Sequence, residues 1–124
     1  MKLDLISIVV ENIPRSLAFY RLLGWEIPEA EAGEKHVEIT LENGLRFAWD
    51  DLEMIRSFDP SASIQAHTVG AFLCSNPEEV NQKYALLTAA GYHGHLEPWD
   101  AFWGQRYAVV HDPDGHGIDL FAPL

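Results

Sequence analysis

The feature that most constrains this chain is that its two halves carry the same punctuation in the same order. In the first half, an apolar run at 3–10 is followed by a helical pattern at 13–23 and strand patterns at 36–41 and 45–49. The second half repeats that order at 69–74, 77–90, 105–111 and 117–121. Each predicted helix opens on an asparagine able to cap free backbone N–H groups, Asn12 or Asn76, with Pro14 or Pro77 in its first turn. Glu79 stands where a capping box wants an acid. Each helix closes at a glycine, Gly24 or Gly91, and an aromatic follows, Trp25 or Tyr92, read as the start of the next strand. Late in each half comes a hairpin dipeptide, Asn43-Gly44 and Asp114-Gly115. The pattern predicts a duplicated βαβββ module in a single domain. Module 1 spans 1–50, a polar linker with a short helix at 51–58 spans 51–66, and module 2 spans 67–124.

A chain of 124 residues can bury a real core, and its apolar content is that of a globular protein. The expected class is α+β: two curved mixed sheets with helices on their outer faces, leaving a concave inner surface as the natural place for a ligand. A net charge of −11 argues against nucleic acid and anionic membranes as partners. Cys74 is the one cysteine, so no internal disulfide forms, and its apolar surroundings predict a small buried hydrophobe. The N-terminal apolar run is too short to span a membrane, and Asp4, Glu11 and Asn12 spoil a signal peptide, so the expected location is cytoplasmic.

The chemistry-bearing residues gather in the last quarter. Trp99, Phe102 and Trp103 crowd a loop before the final hairpin, where folding alone explains them poorly. Such rings are platforms for planar or cationic ligands. Trp49, ending a strand of the first module, is a further candidate. Asp119 is a lone carboxylate between Ile118 and Leu120. Strand alternation places Leu5 with Ser7 on one face, and Val69 with Ala71 and Leu73 on another. Arg106 is expected to pair with Asp119 or with a ligand carboxylate. His93 and His95 alternate, but with no cysteine or carboxylate cluster nearby they read as surface polar groups. His111 reads as a cap on the following turn, and His116 as a solvated turn residue.

The stretch Val9-Val10-Glu11-Asn12-Ile13-Pro14-Arg15-Ser16-Leu17-Ala18-Phe19-Tyr20-Arg21-Leu22-Leu23-Gly24 resembles the opening of vicinal oxygen chelate proteins, the glyoxalase, bleomycin-resistance and extradiol-dioxygenase superfamily. The closing Asp112-Pro113-Asp114-Gly115-His116-Gly117-Ile118-Asp119-Leu120-Phe121 resembles the same superfamily's last hairpin. The resemblance implies βαβββ modules around a cleft, a homodimer, and in the enzymes a divalent metal held by His and Glu side chains. The four positions it implies for those ligands hold Leu5, Ala48, Val69 and Asp119 here. Leucine, alanine and valine cannot coordinate a metal, and one carboxylate does not hold zinc, nickel or iron.

The expectation is therefore a small-molecule-binding protein without a metal cofactor, similar to antibiotic-sequestering members. Its ligand, aromatic or cationic, would be held by Leu5, Ser7, Trp49, Val69, Trp99, Phe102, Trp103, Arg106 and Asp119. The alternative is a lyase, isomerase or dioxygenase with one divalent ion on a non-standard site built from His67 and Asp119. A third reading is a dimeric scaffold with no ligand of its own. There is no Gly-rich phosphate loop, nucleophile elbow, Cys/His couple or basic stripe.

Overall fold

In the computed structural model, which describes residues 1–124, the chain divides into two units, Met1–Gln65 and Ala66–Leu124. The first unit runs β1 (Leu5–Val10), α1 (Ile13–Leu23), β2 (His36–Thr40), β3 (Arg46–Asp51) and α2 (Leu52–Arg56). The second runs β4 (Thr68–Leu73), α3 (Pro77–Ala89), β5 (Gly94–Asp100), β6 (Gln105–His111) and β7 (Gly117–Pro123).

Both long helices start as their sequences dictate. The Asn12 side chain accepts from the Arg15 amide at 2.9 Å, and Asn76 accepts from the Glu79 amide at 2.9 Å. Glu79 in turn accepts from the Ser75 amide, one residue ahead of the cap. The stops are built alike. Gly24 at φ 132° and Gly91 at φ 99° take conformations that L side chains rarely adopt. The next amides, Trp25 and Tyr92, then close back onto the carbonyls of Tyr20 and Leu87.

In the first unit the sheet order is β1-β3-β2, with β1 and β3 parallel. Ile8, Val10, Phe47 and Trp49 face α1, where Ile13, Leu17, Tyr20 and Leu23 complete a buried core. Fully burying each such side chain is worth roughly 1.5–3 kcal/mol. The rings of Tyr20, Trp25, Phe47 and Trp49 interlock here, with Phe47–Trp49 centroids 5.0 Å apart and Tyr20–Trp49 centroids 5.4 Å apart. Trp25 was expected to start a strand. It packs into this aromatic cluster instead, and the chain reaches β2 without one, so this unit has three strands rather than four.

In the second unit the order is β4-β7-β6-β5, with β4 and β7 parallel and the other pairs antiparallel. Ala108, Val110, Ile118, Leu120 and Ala122 are buried on one face, together with Val80 and Leu87 of α3. Gln105, Tyr107, Val109 and His111 of β6 and Gly117, Asp119 and Phe121 of β7 alternate onto the other face. Strand β5 is an edge strand that holds Pro98 and two register shifts. Pro and bulges are tolerated at an edge, where a lost ladder bond leaves no inner partner unpaired.

Of the aromatic segment expected as a loop, Trp99 lies on β5 opposite Tyr107, and Phe102 and Trp103 form the turn of the β5–β6 hairpin. The Gly104 amide donates to Ala101, and the Ala101 amide to Gln105. No helix is long and apolar enough to cross a membrane.

Candidate functional site

The face of the second sheet opposite α3 carries a depression of about 450 Å³, lined by Ala66, His67, Thr68, His95, Tyr107, Val109, His111, Gly115, Gly117 and Asp119. Asp119 sits on β7 opposite Val109, and Tyr107 lies one step along β6. Burial first, and then hydrogen bonding to the Asp119 carboxylate, push the Tyr107 phenol up to about 12. Tyr107 therefore stays a neutral O–H donor across the physiological range, beside an acceptor that would attract a cationic group.

Next to Tyr107 stands the aromatic tip. Trp103 lies at its centre, with ring centroids 5.3 Å from Tyr107, 5.6 Å from Trp99 and 4.9 Å from Phe102, every pair close to perpendicular. Its indole N–H donates to the Gln105 side chain at 2.8 Å, which holds the ring's orientation. The exposures are 38 % for Trp99, 48 % for Trp103 and 91 % for Phe102. Apolar rings this open are held in place by the turn beneath them and by each other, not by a core.

Other expected site residues fall elsewhere. Trp49 is fully buried against Tyr20 and Phe47, so it offers no surface to a ligand. Its β3 neighbour on the face away from α1 is Ala48, because strand alternation turns successive side chains to opposite sides. Arg106 pairs with Asp100 and donates to Asn81 of α3 at 3.0 Å. It stands opposite Ala122 on the helix-covered face, so it does not pair with Asp119. Val69 lies at the irregularity between Thr68 and Gly70, out of the ladder that pairs Ala71 with Asp119.

Leu5 and Ser7 do share the open face of the first sheet, beside Arg46 and Ala48 in register. That face is charged. Arg46 reaches Asp4 at 2.9 Å and Glu38 at 2.8 Å, and His36 bonds Asp50 and Glu38. Asp50 first, and Glu38 next among the groups favouring the proton, raise the His36 pKa above its usual value, against a smaller opposing effect of burial.

Sequence reasoning misplaced His116 and missed the grouping of His93, His95 and His111. His116 is 1 % exposed rather than solvated, because Asp112 accepts from the amides of Asp114 and His116 at 2.9 Å each and folds the turn inward. Its ring lies 4.9 Å from that of His67. His95 and His111 stack at 4.7 Å, with His93 at 5.1 Å from His111. The His93-x-His95 alternation was the available signal. What it lacked was the pairing of β5 with β6, which brings His111 alongside.

Sheets covered by a helix on one face and open on the other, in two successive units, define a two-module α+β protein of glyoxalase-like fold. A family model for the Glyoxalase/Bleomycin resistance protein/Dioxygenase superfamily matches residues 2–120, and the chain belongs to that superfamily. Solved structures agree on the fold. A glyoxalase-related enzyme from Fulvimarina pelagi is 19% identical over 98% of this chain and 87% of that one, with a TM-score of 0.79. A glyoxalase/bleomycin resistance protein/dioxygenase from Nocardioides is 23% identical over 100% of this chain and 84% of that one, with a TM-score of 0.73. Protein ATC0852 from Agrobacterium tumefaciens is 24% identical over 100% of this chain and 98% of that one, with a TM-score of 0.74. No curated protein matches.

The superfamily's metal centre does not fit the residues present. At the four positions the resemblance implies, Leu5, Ala48 and Val69 bring no donor atom, and Ala48 is buried besides. Asp119 alone falls short of the three or four ligands such ions need. His67 lines the same depression as Asp119, and a His67–Asp119 pair is two donors where three or four are needed.

Proposed function

We propose that this protein binds a small organic molecule with an aromatic or cationic part, an antibiotic being one such ligand, on the open face of the second sheet. Binding does not call on the superfamily's metal centre. The observation that carries the reading is the tip of exposed rings, Trp99, Phe102 and Trp103, joined edge-on to Tyr107 beside Asp119. The rings supply stacking surface and the carboxylate complements a positive charge. The reading is stoichiometric capture of the ligand.

Tryptophan fluorescence tests it, titrated with bleomycin and with planar aromatic cations. A saturable quench is expected with at least one probe, and Trp103→Ala should weaken it by about 2 kcal/mol, roughly thirtyfold. An unchanged affinity in Trp103→Ala overturns the ring clamp. If that variant instead converts a dimer to a monomer by sedimentation, the rings are a self-association seam and the binding reading fails.

A further inference from the structure

Three imidazoles converge at the other end of the same face. The ligand nitrogens of His93, His95 and His111 all lie within 4.8 Å of one another. None of the three makes a side-chain hydrogen bond or ion pair, although the chain carries 19 acidic residues. His36 is the contrast, since its ring is held by two carboxylates. A cluster of unpaired imidazoles has no folding rationale, because protonating more than one sets like charges together.

The scaffold under the cluster is firm. The His111 amide donates to the His93 carbonyl at 2.9 Å, and His95 sits in the first register shift of β5, which turns its ring to the depression. His111 is half-buried and fixed by its strand, whereas His93 and His95 are exposed and able to adjust.

We infer that His93, His95 and His111 form a trihistidine site for one borderline divalent cation of the zinc class, distinct from the superfamily's metal positions. A tetrahedral zinc with bonds of about 2.0–2.1 Å places its nitrogens about 3.3 Å apart. Rotating the two exposed rings covers the contraction from 4.8 Å. Three nitrogen ligands select zinc, cobalt, nickel or copper over magnesium and calcium, which require oxygen. Because His95 and His111 also line the depression that holds Asp119, a fourth coordination position opens toward it and would take water or an anionic ligand atom. This goes beyond the binding function proposed above and stands without it.

Tag-free protein, stripped with chelator, is titrated with Zn2+ against a chromophoric indicator. One equivalent per chain is expected, with a Kd on the order of 1 µM or tighter. His93→Ala, His95→Ala and His111→Ala should each lose at least about tenfold, whereas His36→Ala should bind like the parent. In the unaltered protein, Zn2+ should shift the imidazole NMR signals of His93, His95 and His111 together, which needs no variant to fold. Absence of saturable binding overturns the site. So does zinc affinity that survives the three substitutions but is lost in His67→Ala or Asp119→Asn. Tryptophan quenching by an organic probe in the His111→Ala protein reports on the ring surface separately, so the two proposals fail independently.

Discussion

The Tyr107 phenol is set against the Asp119 carboxylate, on neighbouring strands of the second sheet, with its proton retained up to about 12. Burial is the larger cause and the carboxylate the smaller. The phenol's ordinary pKa is 10.0, so its contribution to stability is complete below pH 10 and is lost as pH rises toward 12. Alkaline difference absorbance should show one tyrosine titrating late, and that step should vanish in Tyr107→Phe. In Asp119→Asn it should move down part of the way and remain above the other tyrosines. A late step untouched by either substitution would assign the high pKa to another residue.

Trp49 belongs to the core and not to the ligand. Trp49→Ala should cost about 3–5 kcal/mol in urea denaturation, as truncation of a large buried ring does. Its indole N–H is buried without an acceptor, which carries a penalty of its own. Trp49→Phe removes that N–H while keeping a ring, so it should cost well under half as much. If Trp49→Phe abolishes probe binding while stability holds, the assignment to the core is wrong.

His36 gives the first unit a pH dependence. Its pKa is raised above 6.5, with the Asp50 hydrogen bond as the largest cause. The pair therefore stabilises the fold fully below pH 6.5 and loses that contribution as pH rises through the raised value. Thermal melts of the parent and His36→Gln, compared between pH 5.5 and pH 9, should show the parent's advantage shrinking with rising pH. A constant difference would mean that the charged form is not what Asp50 recognises. Because the pair is partly solvated, the effect should be modest and should fall with added salt.

How far the chain could be read in advance varies by element. The caps at Asn12 and Asn76 and the stops at Gly24 and Gly91 were legible because they depend on neighbours within a few residues. That Leu5 and Ser7 share a face followed from strand alternation. A strand was expected from Tyr92, but the extent of β5 through Trp99 to Asp100 was not legible, because Pro98 and its charged residues carry no apolar alternation. Arg106 was misassigned for a related reason. Which face a strand residue occupies depends on the register with β7, set by hydrogen bonds to residues more than ten positions away.

The sequence by itself determined the duplicated strand–helix order and the superfamily, since these rest on residue identity and local spacing. The tertiary structure decided the function-bearing groupings. It buried Trp49, turned Arg106 away from Asp119, set Trp103 against Tyr107 and gathered His93, His95 and His111. Each of these is a contact across strands whose partner is chosen by register and burial, and no local propensity encodes that choice.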